Sequence, residues 1–180
     1  MNRNSGFTLA EIAIATGISA LVTISIFSVF AMTNRTWREA SANVTLQSNG
    51  RLILNEIACG SYGRYGIREA NYSGLTILDS GKSIQFSVDK NEPPTYVADD
   101  DTICRFYLQN NRIWYDPNVN IEDDEYPLVN NGRVERLTFT KYSGYINIEL
   151  IMKDYASTRS NAYVKLTTNV FLRKAREILQ

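Results

Sequence analysis

Glu11 is the side chain whose chemistry is hardest to reconcile with its place in the sequence. It is the last charge before 23 uncharged residues, 12–34, in a chain where 21% of the residues are charged. A carboxylate at the entrance of such an apolar run is costly without a partner, so it is a functional candidate by default. The nearest preceding base, Arg3, lies eight positions away. Glu11 therefore lies at the level of lipid headgroups, or its partner is on another molecule.

Catalytic chemistry has few candidates in this chain. The sequence contains no histidine and two cysteines, which excludes Ser-His-Asp and Cys-His arrangements and an ordinary zinc site. A glycine-rich phosphate-binding loop is also absent from it. Cys59 and Cys104 either form a disulfide, which would contribute about 4 kcal/mol outside the cytoplasm, or remain free thiols. We expect no enzyme activity, no catalytic residues and no cofactor.

Residues 116–122 begin like a calcium-binding loop. Oxygen-bearing side chains occupy alternate positions there: Asp116, Asn118, Asn120 and Glu122. The pattern then fails, because Ile121 replaces the glycine that turns such a loop and Pro127 replaces its bidentate glutamate. The sequence therefore predicts a solvated acidic loop and no metal site.

The uncharged run after Glu11 predicts a helix that can span a membrane. As a helix, 23 residues extend roughly 34 Å, and a bilayer core is about 30 Å thick. Hydroxyl side chains dilute the run, but in a helix they can bond to main-chain carbonyls of the preceding turn: Thr16, Ser19, Thr23, Ser25 and Ser28. A buried core helix is rarely so apolar on all sides, and a signal peptide has a shorter apolar stretch with a small-residue cleavage site.

The residues around Glu11 resemble a known processing signal. Gly6-Phe7-Thr8-Leu9-Ala10-Glu11, between a short leader and the apolar run, closely resembles the class III signal of type IV prepilins and pseudopilins. In that family a membrane peptidase cuts after the glycine and methylates the new amino terminus. The resemblance implies a cut between Gly6 and Phe7, with N-methyl-Phe7 as the mature first residue. It also implies that Glu11 acts in assembly, by pairing with the amino terminus of a neighbouring subunit. Pairing within one chain is the alternative, because the amine of Phe7 and Glu11 are about one helical turn apart.

Three later segments extend the resemblance. Residues 47–57, 106–115 and 164–173 are similar to PilW-type minor pilins and J-type minor pseudopilins. The apolar run contains no proline, and neither cysteine is near the carboxyl terminus. Both departures favour a minor component over the major fibre subunit.

We expect an α+β fold of the pilin type, with a long amino-terminal helix packed on an antiparallel sheet. The predicted segments are a leader (1–6), a transmembrane and filament-core helix (7–34), a helix continuation (35–58) and a β-rich head (59–180). Apolar residues at helical spacing predict one packed face on the continuation: Trp37, Ala40, Val44, Ile53 and Ile57. From residue 75 onward the apolar period becomes two, which predicts six or seven strands and a hairpin turn at Asn110-Asn111.

Charge is unevenly distributed, although the 19 acids balance the 19 bases. Residues 89–125 hold ten acids and three bases, whereas residues 126–180 hold nine bases and four acids. These flanks either make head-to-tail contacts between subunits or are solvated loops. The basic flank also contains tyrosines that can contact DNA, namely Tyr142, Tyr145, Tyr155 and Tyr163, but a nucleic-acid partner is the weaker interpretation.

The favoured function is that of a minor pilin or minor pseudopilin, which primes or caps a type IV pilus or a type II secretion pseudopilus. Its expected partners are other subunits, the prepilin peptidase, an inner-membrane assembly platform and, before assembly, the bilayer. The expected location is the inner (cytoplasmic) membrane, with the head outside the cytoplasm. Two alternatives remain open: a single-pass membrane protein with a β-rich sensory or adhesive head, and a DNA-uptake pilin.

Overall fold

The computed structural model describes residues 7–61, 63–70, 74–89, 101–128, 134–153 and 163–172. Within them the chain forms one long helix, α1 (Leu9–Cys59), followed by ten strands. The strands are β1 (Gly60–Ser61), β2 (Arg64–Tyr65), β3 (Thr76–Leu78), β4 (Ser83–Val88), β5 (Thr102–Gln109), β6 (Arg112–Asp116), β7 (Tyr126–Pro127), β8 (Val134–Tyr142), β9 (Tyr145–Lys153) and β10 (Tyr163–Phe171). Short 3₁₀ helices occupy Ile67–Glu69 and Asp79–Gly81.

The helix α1 is 51 residues long and ends one residue beyond the predicted position, 58. Gly60 follows it with a φ of 71°, a left-handed conformation that glycine adopts without steric cost and that commonly terminates helices. The chain divides into two compact units, Met1–Ser41 and Ala42–Gln180.

The strands form antiparallel sheets, which confirms the α+β class. One sheet has five strands in the order β3-β4-β5-β6-β7, another has three in the order β10-β9-β8, and β1 pairs with β2. Seven of the described strands are longer than two residues, in agreement with the six or seven predicted. The predicted hairpin turn is confirmed as well, since Asn110 and Asn111 both have positive φ between β5 and β6.

The core of the second unit lies between the carboxyl-terminal part of α1 and the sheets. The helix contributes Leu46, Gly50, Ile53, Leu54, Ile57 and Ala58, and β9 contributes Ile146, Ile148, Leu150 and Met152. At Gly50 the helix packs closely on β9 and β10, because an added Cβ would meet the side chains of Leu166 and Met152. The predicted face was correct for Ile53 and Ile57 but began too early, because Trp37 and Val44 are exposed.

Candidate functional site

The apolar half of α1 is the most exposed apolar surface of the described chain. Every residue in the range 7–38 is exposed, including large side chains such as Phe27 and Phe30. An 18-residue window of this helix reaches a mean hydropathy of 2.2, and none of that window is buried. Among the described residues, α1 is the one helix long and apolar enough to cross a membrane.

Four of the five hydroxyl side chains that were expected to bond to main-chain carbonyls of this segment do so, with Ser19 as the exception. The hydroxyls of Thr16, Thr23, Ser25 and Ser28 donate to carbonyls four residues earlier at distances of 3.0, 2.8, 2.9 and 2.9 Å. A hydroxyl bonded in this way presents little unsatisfied polarity to its surroundings. The segment is therefore compatible with a hydrocarbon environment despite its threonines and serines.

The amino end of α1 is closed by reciprocal hydrogen bonds between Thr8 and Glu11. The Thr8 N–H and hydroxyl donate to Glu11 Oε2 at 2.8 and 2.9 Å, and the Glu11 N–H donates to Thr8 Oγ1 at 3.3 Å. This is a capping box, which satisfies backbone donors that the first turn leaves unpaired. The sequence signal of this capping box is Thr-x-x-Glu at residues 8–11. The prediction of an intermolecular partner for Glu11 did not take this signal into account.

The capping box gives the Glu11 carboxylate a hydrogen-bond partner within its own chain. The sequence had suggested a position among lipid headgroups, a partner on another molecule or pairing with the amine of Phe7. Thr8 is neutral, however, so the box supplies hydrogen bonds and no opposite charge. Within the described residues, which begin at Phe7, the carboxylate at the entrance of the apolar run therefore has no ion-pair partner.

The predicted cleavage site lies just before the helix. Phe7 is 85% exposed and precedes the first helical residue, Leu9, by two positions. Exposed, non-helical segments near chain ends are where proteolysis occurs most readily. Gly6, the other residue of the predicted scissile bond, lies outside the described residues.

Cys59 and Cys104 are not joined to each other by a disulfide in the structure. The Cys104 thiol is fully buried and donates to the Pro117 carbonyl at 3.2 Å. It also accepts a hydrogen bond from the Tyr115 hydroxyl at 3.5 Å, and that hydroxyl accepts one from the Tyr65 N–H at 3.1 Å. Burial, together with the hydrogen bond to Cys104, raises the pKa of Tyr115. These groups form a neutral network in the core.

The loop that begins like a calcium site uses its side chains for other contacts. Asp116 is buried and pairs with Arg105 at 3.1 Å, and its Oδ1 accepts from the Asn118 N–H. The Asn120 N–H in turn donates to Asn118 Oδ1 at 3.2 Å. Burial raises the pKa of Asp116, against the opposing effect of the Arg105 guanidinium. Within the described ranges, no three cysteine or acidic side chains are grouped as metal ligands.

The solvent face of the three-stranded sheet carries an aromatic row, Tyr142, Tyr145 and Phe171, at one end. Neighbouring ring centroids are 4.9 and 5.8 Å apart. Phe171 is 70% exposed and Tyr142 is 48% exposed. Of the other tyrosines considered for DNA contact, Tyr163 begins β10 at the opposite end of that strand, and Tyr155 lies outside the described residues.

Searches of protein families, of characterised proteins and of solved structures found no match to this chain.

Proposed function

We propose that the chain is a prepilin-like subunit, a minor pilin or minor pseudopilin that helps to initiate or cap a type IV pilus or a type II secretion pseudopilus. The observation that carries the proposal is the position of Glu11, in the first turn of a helix whose next 23 residues are uncharged. The Gly6-Phe7 pair immediately before that helix supports it further.

Processing follows from the residues at the amino end. The peptidase removes residues 1–6, and Phe7 then carries a cationic, methylated amine. The exposure of Phe7 and its position outside the helix support access of the peptidase to its amino side. The new amine supplies Glu11 with an opposite charge.

Assembly follows from the same charge. In a filament core the dielectric constant is low, so pairing of a carboxylate and an amine is worth much more than in water. An unpaired charge in such surroundings costs several kcal/mol. Glu11 of one subunit therefore pairs with the amine of Phe7 on a neighbour, while the exposed apolar face moves from lipid to sister helices.

The proposed partners are the prepilin peptidase, an inner-membrane assembly platform and sister subunits. The head, on the outer side of the cytoplasmic membrane, selects the neighbouring subunits. The opposite charges of residues 89–125 and 126–180 support head-to-tail contacts between heads, which require complementary patches.

Replacement of Glu11 tests the proposal. Loss of the ion pair leaves the amine of the neighbour unpaired, which costs several kcal/mol, and about 1.4 kcal/mol already corresponds to a factor of ten. In cells with an active peptidase and assembly machinery, we therefore expect Glu11→Ala to reduce the amount of this chain in sheared filaments more than about tenfold. The control is Glu69→Ala, which removes an exposed carboxylate of the head that lies outside both charged flanks. Wild-type incorporation of Glu11→Ala would exclude the proposed role.

A second candidate, a single-pass membrane protein with an adhesive head, is supported by the aromatic row. Exposed rings that neighbour one another on a sheet face are typical of a contact surface. Such a protein would keep Met1 in cells that contain an active prepilin peptidase. Its adhesion would be lost in the double variant Tyr142→Ser, Phe171→Ser, and membrane insertion would be unchanged.

A further inference from the structure

Trp37 is the largest apolar side chain on α1 that lies outside both the core and the uncharged run. It is 73% exposed and lies three positions beyond the end of the run, at residue 34. The buried face of the helix begins only at Leu46. An indole is one of the largest apolar side chains, and its exposure in water is unfavourable. Its position therefore calls for a contact that the described part of the chain does not provide.

The charges around Trp37 differ from those of the preceding segment. Arg35 and Arg38 are the first bases after the uncharged run, and both are exposed. Arg35 Nε pairs with Glu39 Oε1 at 3.0 Å, one helical turn along. Two bases and one acid leave this turn with an excess positive charge, which suits a layer of phosphates.

The length of the helix places this turn at a bilayer surface. Glu11 and Trp37 are 26 positions apart, which corresponds to roughly 39 Å of helix. A bilayer with its headgroup layers is about 40–45 Å thick. When Glu11 lies in one headgroup layer, Trp37 lies in or just below the other.

We propose that Trp37 is an interfacial anchor, which places its indole in the phospholipid headgroup layer at the end of the span opposite Glu11. The indole suits this layer because its ring is apolar and its N–H can donate to lipid carbonyl or phosphate oxygens. Arg35 and Arg38 contact the phosphates of the same layer. The occupant is lipid because the turn directly follows a segment that is long and apolar enough to span the hydrocarbon. This anchor is independent of processing and of filament assembly.

Tryptophan fluorescence of the full-length chain in phospholipid vesicles tests the anchor. The sequence has two tryptophans, so Trp114→Phe leaves Trp37 as the only indole. That substitution is mild, because Trp114 Nε1 is buried without a hydrogen-bond partner. The probes are phospholipids that carry bromine near the headgroup, midway along the acyl chain or at the bilayer centre. We expect the strongest quenching from the shallowest bromine and a larger effect in anionic phosphatidylglycerol than in phosphatidylcholine.

Two results would overturn the anchor. One is emission that is insensitive to every brominated lipid and fully quenched by acrylamide, which would place Trp37 in water. The other is maximal quenching by the bromine at the bilayer centre. If Trp114→Phe fails to fold, the difference between the wild type and Trp37→Phe gives the same signal. Because the unprocessed chain is used, failure of the pilin proposal leaves this result unaffected.

Discussion

At the scale of single residues, Glu11 combines two tasks that can be separated by substitution. Its carboxylate accepts hydrogen bonds from Thr8 within the chain, and we propose that its charge pairs with the amine of a neighbour. Glutamine can make the capping hydrogen bonds but carries no charge. Alanine at position 8 removes the hydroxyl that accepts from Glu11 and leaves the carboxylate charged.

The two substitutions therefore have different expected results. We expect Glu11→Gln to fail in filament incorporation as Glu11→Ala does. Thr8→Ala should assemble, with a loss of about 1 kcal/mol in helix stability. Incorporation is measured in sheared filaments, and helicity by circular dichroism in detergent. Normal assembly of Glu11→Gln together with failure of Thr8→Ala would assign the function of Glu11 to capping alone.

Glu149 provides a pH-dependent test of the head. On the solvent face of the three-stranded sheet it pairs with Lys165 at 2.6 Å and with Arg136 at 3.0 Å. The hydrogen bond from Lys165, followed by the charges of both bases, lowers the pKa of Glu149 below its ordinary value of 4.5. The folded state thus binds fewer protons than the unfolded state, and the pairs contribute stability above about pH 4.5.

That contribution is lost as the pH falls through the pKa of folded Glu149. We expect Glu149→Gln to lower the free energy of unfolding near neutral pH, and the difference from the wild type to shrink in acid. Urea unfolding of both proteins in detergent, at neutral pH and again in acid, measures this difference in the free energy of unfolding. The control is Glu122→Gln, an exposed carboxylate that has no ion pair in the described part of the chain. If the free energies of unfolding of Glu149→Gln and the wild type differed equally at both pH values, the loss of stability would come from packing and not from the ion pairs.

At the scale of elements, strong periodicity made the main features predictable. The uncharged run of α1 and the strict alternation of β9 each specify one secondary structure. The three two-residue strands, β1, β2 and β7, were not predictable, because two residues carry no period. Periodicity also does not show at which residue a helix face begins to be buried by the head. For this reason Trp37 was expected to be packed, although it is exposed.

The turn after α1 depends on a close main-chain approach at Gly66. A Cβ there would lie 2.3 Å from Gly60 N and 2.4 Å from the Cys59 carbonyl carbon. These are main-chain atoms, which cannot rotate away. We expect Gly66→Ala to lower the free energy of unfolding by about 3 kcal/mol, measured by urea unfolding in detergent.

The matched control for Gly66 is Gly63, in the same turn. A Cβ at Gly63 would meet no atom within 4 Å, although its φ of +80° disfavours alanine. Gly63→Ala should therefore cost only about 1 kcal/mol, from backbone strain. Equal losses for the two variants would show that the close approach at Gly66 is not what restricts the turn.

At the scale of the whole molecule, the chain separates an exposed apolar segment from a folded head. The first compact unit contains Glu11 and the predicted mature terminus, and the second contains the three sheets and the cysteines. The position of Glu11 could be found from its apolar context. The state of Cys59 and Cys104 could not, because their contacts depend on which strands pair. Cys104 meets Tyr115 only through the β5–β6 pairing.

The central claim is that the chain is cut between Gly6 and Phe7 and enters a filament. Mass spectrometry of the amino terminus of the membrane-extracted protein tests it most directly. We predict N-methyl-Phe7 as the first residue in cells with an active prepilin peptidase, and an intact leader in cells that lack the enzyme. An intact Met1 start in cells where the peptidase processes another substrate would contradict the claim, and would favour a plain membrane anchor.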